Sequence, residues 1–221
     1  MLGVHFRPGG AVSFMGTPAT ELSDAHANLE DLWGSRAGAL REQICEATTA
    51  RERFQLMEEA LLDRDRPVPN HHPVIEAALR LFGPFGIESS TREVARELGI
   101  SQRRFIDLFA RQVGLTPKLL CRILRFKYAR ILVEKLESQG REEAAIDWAQ
   151  IATTCGYYDQ SHLIKDFESF SGLSPSQYTR QLQPARDRKG KPERLPSIAL
   201  GQIPEFLAAR DLKDNNLGLA G

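Results

Sequence analysis

No stretch of this 221-residue chain approaches the ~18–20 consecutive apolar residues that a membrane span requires. The first residues, MLGVHFRPGG, lack the basic region and apolar core of a secretory signal. Cysteine is scarce. Cys45, Cys121 and Cys155 stand far apart with no C-x-x-C pair, which excludes a disulfide framework and a cysteine-based zinc site and suits a reducing cytosol. Signatures of chemistry are missing as well: there is no G-x-S-x-G, no H-E-x-x-H and no phosphate-cradling glycine loop. Pro8-Gly9-Gly10 reads as a turn, because no helical pattern starts immediately after it. His71 and His72 have no carboxylate or cysteine at ligand spacing. No enzyme, cofactor or metal is expected. Net charge is absent too, with 29 Lys and Arg against 29 Asp and Glu. Taken whole, that balance argues against a nucleic-acid binder.

The balance is local, however. Residues 1–66 hold 7 bases against 11 acids. Residues 101–130 hold eight bases (Arg103, Arg104, Arg111, Lys118, Arg122, Arg125, Lys127 and Arg130) against Asp107 alone. Residues 131–168 return to acid, with three bases against eight acids, and the tail 186–194 is basic again. A net-neutral chain thus carries one strongly basic segment, either a solvated helix face or a surface for an anionic partner. With 42% apolar and 8% aromatic residues, the chain has the means to build a core. Punctuation falls at DRDRPVPNHHP (63–73), at SQGREE (138–143) and from Pro184 onward. Four segments follow: 1–66; a linker, 67–73; a domain, 74–183; and a flexible tail, 184–221, with one short helix expected over 203–212.

The middle of the chain repeats itself. Phe109, Gly114, Leu115, Thr116 and Pro117 match Phe167, Gly172, Leu173, Ser174 and Pro175 at an offset of 58. Ala95 and Gly99 match Ala152 and Gly156 at 57, so the one-residue slip falls in the turn after the glycine. Phe105 matches Leu163. In the first copy Val94, Ala95 and Leu98 share a helical face, and Gly99 supplies a left-handed helix end. Ser101 then caps a second helix whose apolar face is Phe105, Leu108 and Phe109. Two short helices around a glycine turn make a helix-turn-helix. In the second copy Ile151, Ala152 and Cys155 face inward, Gly156 turns, Asp159 caps, and Leu163 and Phe167 return to the core. A helical pattern from Pro117 to about Leu136 joins the copies. Its twenty residues span ~30 Å, near the ~34–36 Å between successive major grooves on one face of B-DNA.

These residues resemble the DNA-binding domain of the AraC/XylS family of transcription regulators over roughly 72–182. The most specific part is ATTCGYYDQSHLIKDFESFSGLSPSQY (152–178), including the closing Gly-x-Ser-Pro-x-x-Tyr. The resemblance implies a mainly α fold: seven helices with two helix-turn-helix units joined by a long rigid helix. Residues 3–34 resemble the end of the regulatory region in one subgroup of the family, where a cupin-like β-structure lies upstream. A small α+β remnant is therefore expected before the linker, with two or three short strands and helices over 28–62. That is too little for a small-molecule pocket within 1–66, and DNA binding is expected to be insensitive to metabolites.

Carried over by position, the first reading helix is 101–113. Its outward residues are Gln102, Arg103, Ile106 and Asp107, flanked by Arg104 and Arg111. Arg103 suits a bidentate contact to guanine and Ile106 a thymine methyl. Asp107 departs from the basic residue often found there; it either balances neighbouring arginines or accepts from a cytosine amine. The second reading helix is 160–170, with Gln160, Ser161, His162 and Lys165 exposed early. Gln160 suits adenine and Lys165 suits phosphate, while His162 reads equally as a surface histidine. Asp159, Asp166 and Glu168 make this half less attractive to phosphate. Arg125, Lys127 and Arg130 are phosphate candidates on the connecting helix, Lys127 reading best as solvated. Of Tyr157 and Tyr158, one packs and one lies near DNA. The implied activity is sequence-specific regulation of transcription in the cytoplasm. The implied partners are double-stranded DNA and RNA polymerase, with a homodimer through the N-terminal region through an exposed strand edge. The competing reading is a protein-interaction module that has lost DNA binding and pairs with a full-length relative.

Overall fold

The computed structural model describes residues 2–62, 72–139 and 146–182. The expected tail 184–221, its helix 203–212, most of the linker, most of the SQGREE break and His71 lie outside the described residues. The chain forms two compact units that do not follow chain order. The described part of the first comprises 2–62, 72–77 and 100–116; that of the second comprises 78–99, 117–139 and 146–182.

The first unit contains α1 (Val12–Met15), a 3-10 turn (Ala19–Glu21), α2 (Leu29–Trp33), α3 (Ser35–Glu46) and α4 (Ala50–Leu62). It also contains the start of α5 (Pro73–Phe82) and all of α7 (Gln102–Val113). No strand occurs among the described residues, so the α+β remnant expected before the linker is not formed. The tract around Pro8-Gly9-Gly10 is a turn, as its composition demands, but α1 starts two residues after Gly10, where no helix was expected. A strand or two has no independent stability without further strands or a helix to cover it. Here the apolar residues of the tract are buried instead by local packing. Phe6 stacks on Phe14 at 5.0 Å, and the Trp33 indole donates to the Phe14 carbonyl at 2.9 Å. Gly9, in the left-handed region at φ +80°, lies against Ile75 and Val113. The helices expected over 28–62 are α2, α3 and α4. No residue of α4 is buried, and it leaves Phe54 and Leu62 more than 60% exposed.

The second unit is built on α8 (Pro117–Ser138), whose 22 residues span ~33 Å. Proline at its first position costs no hydrogen bond there. This helix buries Leu120, Cys121, Ile123, Leu124, Phe126, Tyr128, Ala129 and Val133, residues that point in most directions around its axis, as expected of a helix surrounded by others. Packed on it are α9 (Trp148–Thr154), α10 (Gln160–Ser171) and α11 (Pro175–Leu182). An aromatic cluster holds them. Phe167 meets Phe126 at 4.9 Å, Tyr178 at 5.6 Å and Trp148 at 6.3 Å. The last helix, α6 (Thr91–Glu97), opens with a capping box between Ser90 and Glu93. From Pro73 to Leu182 the described residues form seven α-helices.

The internal repeat recurs in helix lengths, turns and caps. Both α6 and α9 have seven residues, and both α7 and α10 have twelve. Gly99 and Gly156 turn at φ +66° and +70°. Ser101 caps α7 by accepting from the Arg104 amide, and Asp159 caps α10 by accepting from the His162 amide at 2.7 Å. Gly114 and Gly172 end the two helices in the left-handed region. Phe109, Leu163 and Phe167 are fully buried. Truncating either Phe109→Ala or Leu163→Ala should lower stability by ~2–5 kcal/mol in chemical denaturation. Unchanged unfolding in either variant would contradict this placement.

Candidate nucleic-acid interface

Each of the two capped helices leaves a polar edge outside. On α7, Gln102, Arg103, Arg104, Asp107 and Arg111 are exposed and Ile106 is half-buried, while Phe105 and Phe109 anchor the opposite face. Asp107 has no ion pair among the described residues, although Arg103, Arg104 and Arg111 all stand three or four residues away. On α10, Gln160, Ser161 and Lys165 are exposed. His162 is not a plain surface histidine: its ring packs edge-on against Tyr157 at 5.2 Å. The two tyrosines divide cleanly, with Tyr157 buried and Tyr158 93% exposed immediately before the cap of α10. Burial pushes the Tyr157 phenol well above its ordinary pKa, so it stays neutral.

The acidic character expected of α10 is smaller than the sequence suggests. Asp166 is 1% exposed, and its Oδ1 accepts from Arg122 Nε at 3.1 Å and Nη2 at 2.7 Å. This pair fastens α10 to α8, and the Arg122 guanidinium also lies over the Phe170 ring at 5.2 Å. Only Asp159 and Glu168 remain on the exposed side, and Asp159 is engaged as the cap.

The arginines of α8 are likewise engaged inside the unit. Arg125 Nε donates to the Gly86 carbonyl at 3.3 Å, and Arg130 pairs with Glu134 at 3.1 Å. Arg125 thereby pins the 86–87 loop, whose Ile87 lies against the Gly156 turn; a Cβ at Gly156 would come within 2.8 Å of Ile87 Cγ2. Gly86 is as constrained, since a Cβ there would meet Cys121 Cα at 2.9 Å. Neither Gly86 nor Ile87 was singled out in the sequence. Nothing local marks them, because Gly86 contacts Cys121 and Arg125, 35 and 39 residues away, and Ile87 contacts Gly156, 69 residues away. Burial raises the thiols of Cys121 and Cys155 to about 11 and about 12, so neither is a thiolate near neutrality.

A groove of about 660 Å³ runs along α7. Arg104, Leu108, Arg111 and Gln112 line one side, with Thr17 and Pro18 of the N-terminal segment on the other. Among the described residues no group of three or more His, Cys, Asp or Glu side chains could hold a metal ion, and no helix is long and apolar enough to cross a membrane.

Residues 94–181 match a family model described as a helix-turn-helix domain. The match runs from within α6 almost to the end of α11, taking in α7, α8, α9 and α10. Among solved structures, the chain is similar to that of a transcriptional regulator (AraC-type DNA-binding domain-containing proteins) from Chromobacterium violaceum. The two are 23% identical, with a TM-score of 0.41, over 53% of this chain and 96% of that one. No curated protein matches the chain.

The Arg122–Asp166 pair yields a prediction. Arg122 is about a third exposed and regains water when its partner is lost, so the cost should be that of charge-assisted hydrogen bonds and not of a stranded buried charge. Asp166→Ala is expected to lower unfolding free energy by ~1–3 kcal/mol. A stability equal to wild type would show that the pair does not fasten α10.

Proposed function

We propose that this chain, whose residues 94–181 match a helix-turn-helix domain model, is a sequence-specific regulator of transcription of the AraC type that inserts α7 and α10 into successive major grooves of one DNA duplex. The observation that carries the reading is the duplication. Two helices of equal length, each capped by a side chain and ended by a left-handed glycine, each leave polar residues of their first turns exposed. The ~33 Å length of α8 suits the ~34–36 Å repeat of the duplex.

In this reading Arg103 takes guanine, Ile106 a thymine methyl, and Gln102 and Asp107 neighbouring base edges. Gln160 takes adenine, Ser161 and His162 lie beside it, and Lys165 and Arg111 take phosphates. Arg125 braces the 86–87 loop through Nε, with its remaining N–H groups assigned to the backbone of the DNA. Phosphate neutralisation supplies most of the affinity and the base edges supply the choice of sequence. The proposal places no chemistry on the chain and sets it in the cytoplasm, with RNA polymerase as a further partner. A homodimer would form through the N-terminal region. The exposed Phe54 and Leu62 of α4 support that surface in place of the strand edge expected from the sequence.

The test is a gel shift on genomic fragments in low and moderate salt. Binding should weaken steeply with salt while a few fragments stay retained. Failure to retain any fragment in low salt would leave the interaction-module reading instead. On a retained fragment, Arg103→Ala should cost ~1–3 kcal/mol and relax preference at one or two adjacent base pairs. An equal loss on every sequence would make Arg103 a phosphate contact and contradict its assignment.

A further inference from the structure

The groove along α7 is left unused by the reading above. Its volume, about 660 Å³, lies within the ~300–1,000 Å³ of small-molecule sites. We propose that it is a binding site for a small polyanion bearing carboxylate or phosphate groups, and that filling it weakens DNA binding by α7. The second half of that statement rests on the DNA-reading role of α7; the first does not.

Charge makes the first argument. Three guanidiniums, Arg103, Arg104 and Arg111, line the groove against one carboxylate, Asp107. Among the described residues none of the three is ion-paired. Arg104 and Arg111 are seven residues apart, so they stand on one stripe of the helix ~10 Å from each other. That separation fits a ligand with anionic groups at more than one end. The carbon skeleton between them has Leu108 on one wall and Pro18 and Val12 on the other. Residues 1–66 alone would not form this site, which is why counting strands could not reveal it: α7 supplies one wall and all the charge.

The second argument is that the wall is fixed. The 3-10 turn Ala19–Glu21, directly after Pro18, packs on the end of α7. Ser23 donates its hydroxyl to the Gly114 carbonyl at 2.5 Å and to the Ala19 carbonyl at 3.0 Å. A Cβ at Gly114 would stand 3.1 Å from both Ala19 O and Ser23 Oγ, so the glycine that ends α7 also admits this segment. The groove is therefore bounded by parts of one compact unit.

The link to DNA follows from space and charge. A helix ~10–12 Å across nearly fills a major groove ~12 Å wide, leaving its flanks against the two phosphate strands. Arg104 and Arg111 occupy such a flank. They cannot hold a ligand anion and a DNA phosphate at once.

The experiment is calorimetric titration of the full chain with citrate and with pyrophosphate, at matched ionic strength, with and without DNA. One of the two probes should bind at a single site. Pro18→Glu puts a carboxylate in the wall without touching α7 and should weaken that binding at least about tenfold, as like charges in a shared site repel. Its DNA affinity, compared with and without the probe, should no longer respond to the probe. If Pro18→Glu melts early, Thr17→Asp serves the same purpose. The proposal is overturned if neither probe binds, or if both variants bind the probe as wild type does. It is also overturned if the probe weakens DNA binding by Pro18→Glu as much as it weakens binding by wild type. If the probe binds and the variant abolishes it while no DNA is bound, the site stands and the DNA reading falls.

Discussion

A helix enclosed on most of its surface cannot leave guanidiniums without partners, and α8 is such a helix. It buries aliphatic and aromatic residues in most directions around its axis, yet it also carries Lys118, Arg122, Arg125, Lys127, Arg130 and Lys135. Within the second unit Arg122 and Arg125 are hydrogen-bonded and Arg130 is ion-paired. Arg122 holds Asp166 of α10, Arg125 holds the Gly86 carbonyl, and Arg130 holds Glu134. Each bond fixes something the second helix-turn-helix needs: the seat of α10, the loop under the Gly156 turn, and the side chain that accepts from the Tyr178 hydroxyl at 2.6 Å. The basic segment 101–130 therefore divides into two parts with different work. The bases of α7 face solvent, whereas much of the charge on α8 acts as internal fastening.

That division explains what was legible in the sequence. Turn and cap chemistry is local, so the tasks of Gly99, Gly156, Ser101 and Asp159 could be read from their spacing, and each performs its task; Gly114 and Gly172, expected only as matching positions of the repeat, end α7 and α10. The inward faces of the two copies were legible for the same reason. Counting charges failed where partners come from far away in the chain. Asp166 looked like an acid that repels phosphate, but it is buried against a helix 44 residues earlier. The capping box of α6 did carry a local signal, Ser90-Thr91-Arg92-Glu93, that the sequence reading passed over.

The N-terminal segment was the least legible part. Its likeness to the end of a β-rich regulatory region led to an expectation of strands, but strands are stabilised by neighbouring strands that these residues do not provide. The same apolar side chains instead fold on themselves and dock on α7, through Gly9, Ala19 and Ser23. The sequence offers no periodicity for such a contact, since irregular segments are positioned by individual hydrogen bonds and close glycine approaches. Its consequence is that α7 shares a compact unit with residues outside the matched domain 94–181.

The central claim is that α7 and α10 read one duplex together. Selection of bound DNA from a random pool, using the full chain, tests it most directly. The account predicts enrichment of a site with two short conserved blocks whose centres lie ~10–10.5 base pairs apart. Enrichment of a single block, or of none, would contradict it.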